Sequence, residues 1–218
     1  MNRLKPIRSF VHRERKLGRL RQEAVQLLWD KYVINHQNGI IDFPKTANCI
    51  NIEIGFGMGE MLFNLAQNNP QELFIGIEVH LPGIAALLAK LKIAPLDNLK
   101  IYHHDAIEIL TNCIPDNCIN NIFLFFPDPW PKQRHHKRRI VQPAFATLIY
   151  RKLKRNGCFY CATDIENYAE HIMRVLTTNN FIYEIEKSPS RPPTKFEQRG
   201  IREGRNIWNL SFSKKRLK

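Results

Sequence analysis

The stretch Ile50-Asn51-Ile52-Glu53-Ile54-Gly55-Phe56-Gly57-Met58-Gly59 constrains this chain more than any other. An apolar run of strand type carries one acid near its end, then breaks into glycines at alternate positions. Glu60 to Ala66 follows with helical spacing. Strand, glycine turn and helix open a nucleotide-type α/β unit. Further apolar runs predict strands at 73–78, 99–103, 119–126, 157–163, 181–186 and 206–212. Helical spacing predicts helices at 18–33, from 60, from 82 to just before Pro95, from 107, at 140–153 and at 167–176. Alternating strands and helices give an α/β fold: a Rossmann-like, doubly wound, mostly parallel sheet with helices on both faces. A basic, proline-containing loop joins the last two strands with no helix, so the final strand is expected to run antiparallel. Residues 1–45 read as a basic N-terminal arm and helix, and 46–218 as the sheet domain.

In such a sheet, ligands bind outside the carboxyl ends of the strands. Five successive strands each end near an acid: Glu53, Glu78, Asp105, Asp128 and Asp164. Glycine lets backbone approach a ligand where a Cβ would clash, which assigns Gly55, Gly57 and Gly59 to a cofactor. Glu78, about 20 residues beyond the turn, stands where dinucleotide folds bind ribose hydroxyls. Two details argue against NAD. The third glycine follows after two residues rather than three. Glu53, just before the turn, would repel a pyrophosphate but suit a cationic amino acid moiety. A cofactor with a ribose, a positive group and no phosphate is S-adenosyl-L-methionine, and Asp105 could accept from its adenine amino group.

Charge points to the partner. The formal net charge is +13, which implies an acidic partner, nucleic acid before membrane. The cations cluster. Arg3, Lys5, Arg8, Arg13, Arg15, Lys16, Arg19 and Arg21 precede Glu23 with only Glu14 against them, 132–139 holds Lys132, Arg134, Lys137, Arg138 and Arg139, and the tail ends Lys214-Lys215-Arg216-Leu217-Lys218. The five cysteines fit a reducing, cytoplasmic setting. Cys158 and Cys161 form a CxxC inside a strand, without a second pair, and read as core. No apolar stretch approaches the roughly 20 residues that span a bilayer, and the N-terminus lacks a signal peptide's apolar region. His135 and His136 lie among cations without acidic or cysteine partners, so no metal is expected. His103 and His104 read as strand-end residues.

Three strings carry a family resemblance. Glu53 to Gly59 resembles motif I of class I methyltransferases. Phe125-Phe126-Pro127-Asp128-Pro129-Trp130-Pro131-Lys132, with Arg134-His135-x-Lys137-Arg138-Arg139, is similar to the signature of the tRNA (guanine-N7-)-methyltransferases. So is Thr194-Lys195-Phe196-Glu197-x-Arg199-Gly200, and Gly76 to His80 and His104-Asp105-Ala106 agree. Pro131 stands where some members have His. The resemblance implies methylation of guanine N7 in tRNA, usually at position 46 of the variable region, forming 7-methylguanosine. It implies that Glu53, Glu78, Asp105, Ala106 and Asp128 line the cofactor site and that Asp128 is the catalytic residue. It implies that Lys132, Asp164, Thr194, Lys195, Phe196 and Glu197 hold the guanosine, and that Arg134, His135, His136, Lys137, Arg138 and Arg139 touch RNA. A monomer or homodimer with no obligate protein partner is expected.

The chemistry is compatible. Guanine N7 has a free lone pair and no proton to lose, so a strong base is not needed. Positioning and a carboxylate that tolerates growing positive charge are. Asp128 or Asp164 could also accept from the guanine Watson–Crick edge. Pro127 and Pro129 fix the backbone that aims Asp128. Trp130 either stacks on a base or packs under its loop. Three other readings compete. An adenine or cytosine amino-methyltransferase would have consecutive prolines after the acid, a non-catalytic RNA-binding module would not need the strand-end acids, and an NAD oxidoreductase would need the other glycine spacing.

Overall fold

The centre of the molecule is β1 (Cys49–Ile54), with alternating side chains sent to two different cores. Ile50, Ile52 and Ile54 enter one apolar cluster, while Asn51 and Glu53 point the other way and are nonetheless buried. The computed structural model describes residues 8–10, 16–44, 47–185 and 193–214, and of Lys195 the backbone alone. Most of the basic arm, the tail beyond Lys214 and the side chain of Lys195 therefore lie outside the described residues.

Seven strands form one sheet in the order β3-β2-β1-β4-β5-β7-β6. They are β1, β2 (Glu72–Ile77), β3 (Leu99–Tyr102), β4 (Ile119–Phe125), β5 (Leu153–Thr163), β6 (Phe181–Tyr183) and β7 (Trp208–Lys214). The first five pair in parallel, and β7 lies antiparallel between β5 and β6. The chain crosses over between β1 and β4, so a crevice opens above the carboxyl ends of those strands. Helices α4 (Ala106–Asn112), α5 (Pro143–Lys152) and α6 (Glu166–Thr178) contribute to the larger core. The second core is built from α1 (Arg19–Tyr32), α2 (Glu60–Asn68) and α3 (Leu81–Ile93) with Phe74, Leu99 and Ile101. Ala24 and Tyr32 of α1 are buried in it.

Three sequence expectations change. The 140–153 helix starts only at Pro143, where the ring suits the first helical turn, and β5 takes over at Leu153. The 181–186 strand stops at Tyr183. The loop before the final strand contains α7 (Lys195–Arg202). Its exposed Phe196 and Ile201 bury no stripe, so apolar periodicity could not reveal it. Its start was nonetheless written in the sequence: the Thr194 hydroxyl accepts from Glu197 N, and the Glu197 carboxylate accepts from Thr194 N, a capping box. Although a helix does join the last two strands, β7 is antiparallel as expected.

The cysteines behave as core. Burial pushes the thiol of the fully buried Cys161 up strongly, and it pushes the half-buried Cys49 and Cys118 thiols up to about 11.

Candidate active site

The glycine turn is tied to β2 by a carboxylate. Gly55, Gly57 and Gly59 all have positive φ, of 69°, 57° and 70°. Gly57 N donates to Glu78 Oε2 at 2.9 Å, while Val79 N and His80 N donate to Oε1 at 2.8 and 3.0 Å. Glu78 is thus a staple as well as a wall of the crevice. Gly83 in α3 completes the support: a Cβ there would come within 2.2 Å of the Gly57 carbonyl oxygen.

A cavity of ≈ 710 Å³ opens above this turn. Glu53, Gly55, Gly57, Glu78 and Ala106 line one side, and Asp128, Thr194 and Phe196 line the other. Glu53 is 4 % exposed. The described lining residues include the acids Glu53, Glu60, Glu78 and Asp128 and no Lys or Arg. Gly55 N, Gly57 N and Gly59 N are all donated internally, to Ile77 O, the Glu78 carboxylate and Phe56 O. A pyrophosphate would meet acids and spent amides here. A cofactor with a sulfonium and an ammonium group meets complementary charge, so the residues fit S-adenosylmethionine.

The loop after β4 is held differently. Phe126 and Trp130 bracket Pro127-Asp128-Pro129 and both sit at positive φ, 51° and 45°. Such backbone costs on the order of 1 kcal/mol or more for each non-glycine residue, so its surroundings must hold it. Phe126 N donates to Ala162 O at 2.8 Å. Arg139 Nε donates to Pro129 O at 2.9 Å and its Nη2 to Asn167 Oδ1 at 2.7 Å, with the guanidinium 4.7 Å from the Tyr168 ring centre. The Arg138 guanidinium lies 3.9 Å from the Trp130 ring centre and donates to the carbonyls of Arg8 and Phe10. Trp130 Nε1 donates to Ser9 O at 3.0 Å. Clamped on both sides, Asp128 stands exposed at the cavity, and no described residue hydrogen-bonds its carboxylate.

Several residues sit elsewhere than their predicted roles require. Arg139 is only 2 % exposed; its guanidinium is spent on the loop, so it does not offer a phosphate contact. Arg138 is half-buried and likewise committed to Trp130 and the N-terminal segment. Arg134 and Lys137 are exposed on a 3-10 helix, Gln133–Arg138, that begins after Lys132, which is also exposed. His135 and His136 are half-buried there; the His135 imidazole is lowered by desolvation and then by the Arg134 and Lys132 charges. Asp105 caps α4, accepting from Ile107 N at 2.8 Å and Glu108 N at 3.3 Å, and its neighbours His104 and Ala106 face the cavity instead. Gly59 caps α2 behind the turn. Asp164 is ion-paired to Arg205 at 2.9 Å beneath Gly200, outside the cavity wall, and Glu197 is occupied in the capping box. Trp130 packs under its loop. Arg205 and Asn167 were missed, because nothing in their spacing marks them, and Phe126 stood in the signature string without a role.

A family model described as "Putative methyltransferase" matches residues 47–210. A tRNA (guanine-N(7)-)-methyltransferase of Pseudoalteromonas atlantica is 44% identical over 97% of this chain and 92% of its own length. One of Photorhabdus laumondii is 45% identical over 99% of this chain and 93% of its own length. The chain belongs to the tRNA (guanine-N7-)-methyltransferase family. Solved structures place the fold of this family member among methyltransferases. They include the 16S rRNA methyltransferase KamB (TM-score 0.57, 12% identity, 81% of this chain and 96% of that one) and the aminoglycoside resistance methyltransferase NpmB1 (0.55, 15%, 78% and 89%). At such identity they speak for the fold alone. The family model covers both walls of the cavity, the glycine turn and the Asp128 loop with α7.

Proposed function

We propose that the chain methylates N7 of a guanine in tRNA, at position 46 of the variable loop, with S-adenosylmethionine as donor. One observation carries the reading: a clamped loop presents an exposed Asp128, bonded by no described residue, at the mouth of a cavity whose described lining holds acids and no Lys or Arg. The names of the relatives support the substrate.

The bound donor supplies an electrophilic methyl group. Glu53 faces its cationic amino acid end, Glu78 offers its remaining lone pair to the ribose, and the Asp105–Ala106 segment receives the adenine. Asp128 holds the guanine edge and tolerates the positive charge that grows on the ring. No base at N7 is required, since that nitrogen carries no proton. Thr194, Lys195, Phe196 and Glu197 bring the α7 start against the base, and Lys132 reaches it from the loop. Asp164 contributes through its pairing with Arg205. Arg134, His135, His136 and Lys137 face the RNA backbone, where phosphate contacts set position rather than sequence. A cytoplasmic location belongs to the same reading.

The test is incubation of the pure protein with unmodified tRNA and labelled donor, followed by chemical cleavage at 7-methylguanosine. Cleavage at a single variable-loop guanine is expected; folded protein that incorporates no label, or labels adenine, overturns the reading.

A further inference from the structure

The cavity's outer rim carries two aromatic rings that the donor site does not use. Phe126 and Phe196 face each other with ring centres 6.4 Å apart and planes 20° from parallel. Both line the cavity beside Asp128. Two stacking gaps of about 3.4 Å span nearly the same distance, so a slight opening admits one flat base between them. The two rings are held in different ways. Phe126 is half-buried and fixed at left-handed backbone, its N–H bonded to Ala162 O. Phe196 is 64% exposed on the first turn of α7 and belongs to neither apolar core. A large aromatic side chain left exposed at the cavity, opposite a residue strained into place, suggests a ligand rather than a core.

We propose that Phe126 and Phe196 form an aromatic clamp that takes the target guanine between a fixed jaw and a mobile one, and that favours the base as it becomes cationic. This rests on the methyl-transfer reading above. In that reaction the carbon–sulfur bond breaks as the N7–carbon bond forms, the sulfur keeps the bonding pair, and the positive charge passes to the purine with no proton released. Aromatic faces attract cations above and below their planes. Two faces against the ring therefore bind the charged product and the transition state more tightly than neutral guanine, which makes the clamp part of the rate as well as of binding. Asp128 acts at the base edge and the rings act on its faces.

The experiment begins with wild-type protein and unmodified tRNA. If no 7-methylguanosine forms, the methyl-transfer reading fails and the clamp is not what failed. With wild-type activity in hand, Phe126→Leu and Phe196→Leu are each expected to lower kcat/KM for tRNA by on the order of 10- to 100-fold. Phe196→Tyr should restore it. Affinity for S-adenosylhomocysteine, measured by titration calorimetry, should be unchanged in all three. A second readout does not use turnover: competition by 7-methylguanosine monophosphate against guanosine monophosphate, at mildly acidic pH where the methylated base keeps its charge. Wild type should prefer the methylated nucleotide several-fold, and both leucine variants should lose the preference. Leucine variants with full kcat/KM, or wild type indifferent to the methyl group, would overturn the clamp.

Discussion

The two walls of the cavity are built on different principles. The glycine-turn wall is held by backbone: positive-φ glycines, amides donated inward, and one carboxylate that staples the turn to the next strand. The Asp128 wall is held by side chains: two arginines, a tryptophan and two prolines fix a strained loop from outside. The first is rigid by construction. The second is rigid only while its clamps stay in place, which suits a wall that must receive a macromolecule. The difference can be broken from either side.

The largest effect is expected at Asp128. Asp128→Ala should lower kcat by about 100-fold or more, in the range of lost transition-state electrostatics, with donor and tRNA affinity nearly intact. Single-turnover kinetics beside S-adenosylhomocysteine titration would show it. If turnover survives, the loop positions something else. Gly83→Ala should do the reverse. Its methyl group would collide with the Gly57 carbonyl, displacing the turn at a cost of about 1–3 kcal/mol and weakening donor binding. Unchanged donor affinity would show that the turn has slack.

Next comes Arg139→Met, which keeps the bulk but leaves the Pro129 carbonyl and Asn167 unpaired. A loss of about 1–3 kcal/mol in stability is expected, with kcat falling more than donor affinity. Equal losses in both would mean that the two walls are one mechanical unit. Arg134→Ala and Lys137→Ala should each flatten the salt dependence of tRNA binding by roughly one unit of slope, while chemistry on bound tRNA continues. Slopes that do not change would remove the 3-10 helix from the RNA interface.

The smallest effect is one of pH. His171 lies in α6, with its ring nitrogen 2.7 Å from Val141 O, and desolvation lowers its folded pKa. The unfolded chain therefore takes up the proton first, and stability declines as pH falls through the ordinary imidazole range near 6.5. His171→Phe should reduce that decline in a urea melt series; an identical pH slope would place the titration elsewhere.

The backbone-built wall is the one the sequence exposed well. Alternating apolar residues, three glycines and the strand-end acids are local patterns, and local patterns survive in a string. They led to the sheet and to the crevice above it. The side-chain-built wall depends on partners far apart in the chain, such as Arg138 with Arg8 and Phe10, or Arg139 with Asn167. A basic run between 132 and 139 looks uniform in sequence, yet burial divides it into exposed Arg134 and Lys137 and sequestered Arg139. Likewise α7 was invisible to periodicity and detectable only through its Thr194–Glu197 cap. The pairing of Asp164 with Arg205 had no local signal at all.

The position of α7 between β6 and β7 sets an order of assembly. The donor wall is finished by residues up to about Ala106, all early in synthesis. Thr194 and Phe196 lie on the α7 start, which is tied down where Arg205 meets Asp164 and where β7 pairs between β5 and β6. Such long-range antiparallel pairing is slow to form. The base-side wall is therefore completed by the last part of the chain to be made.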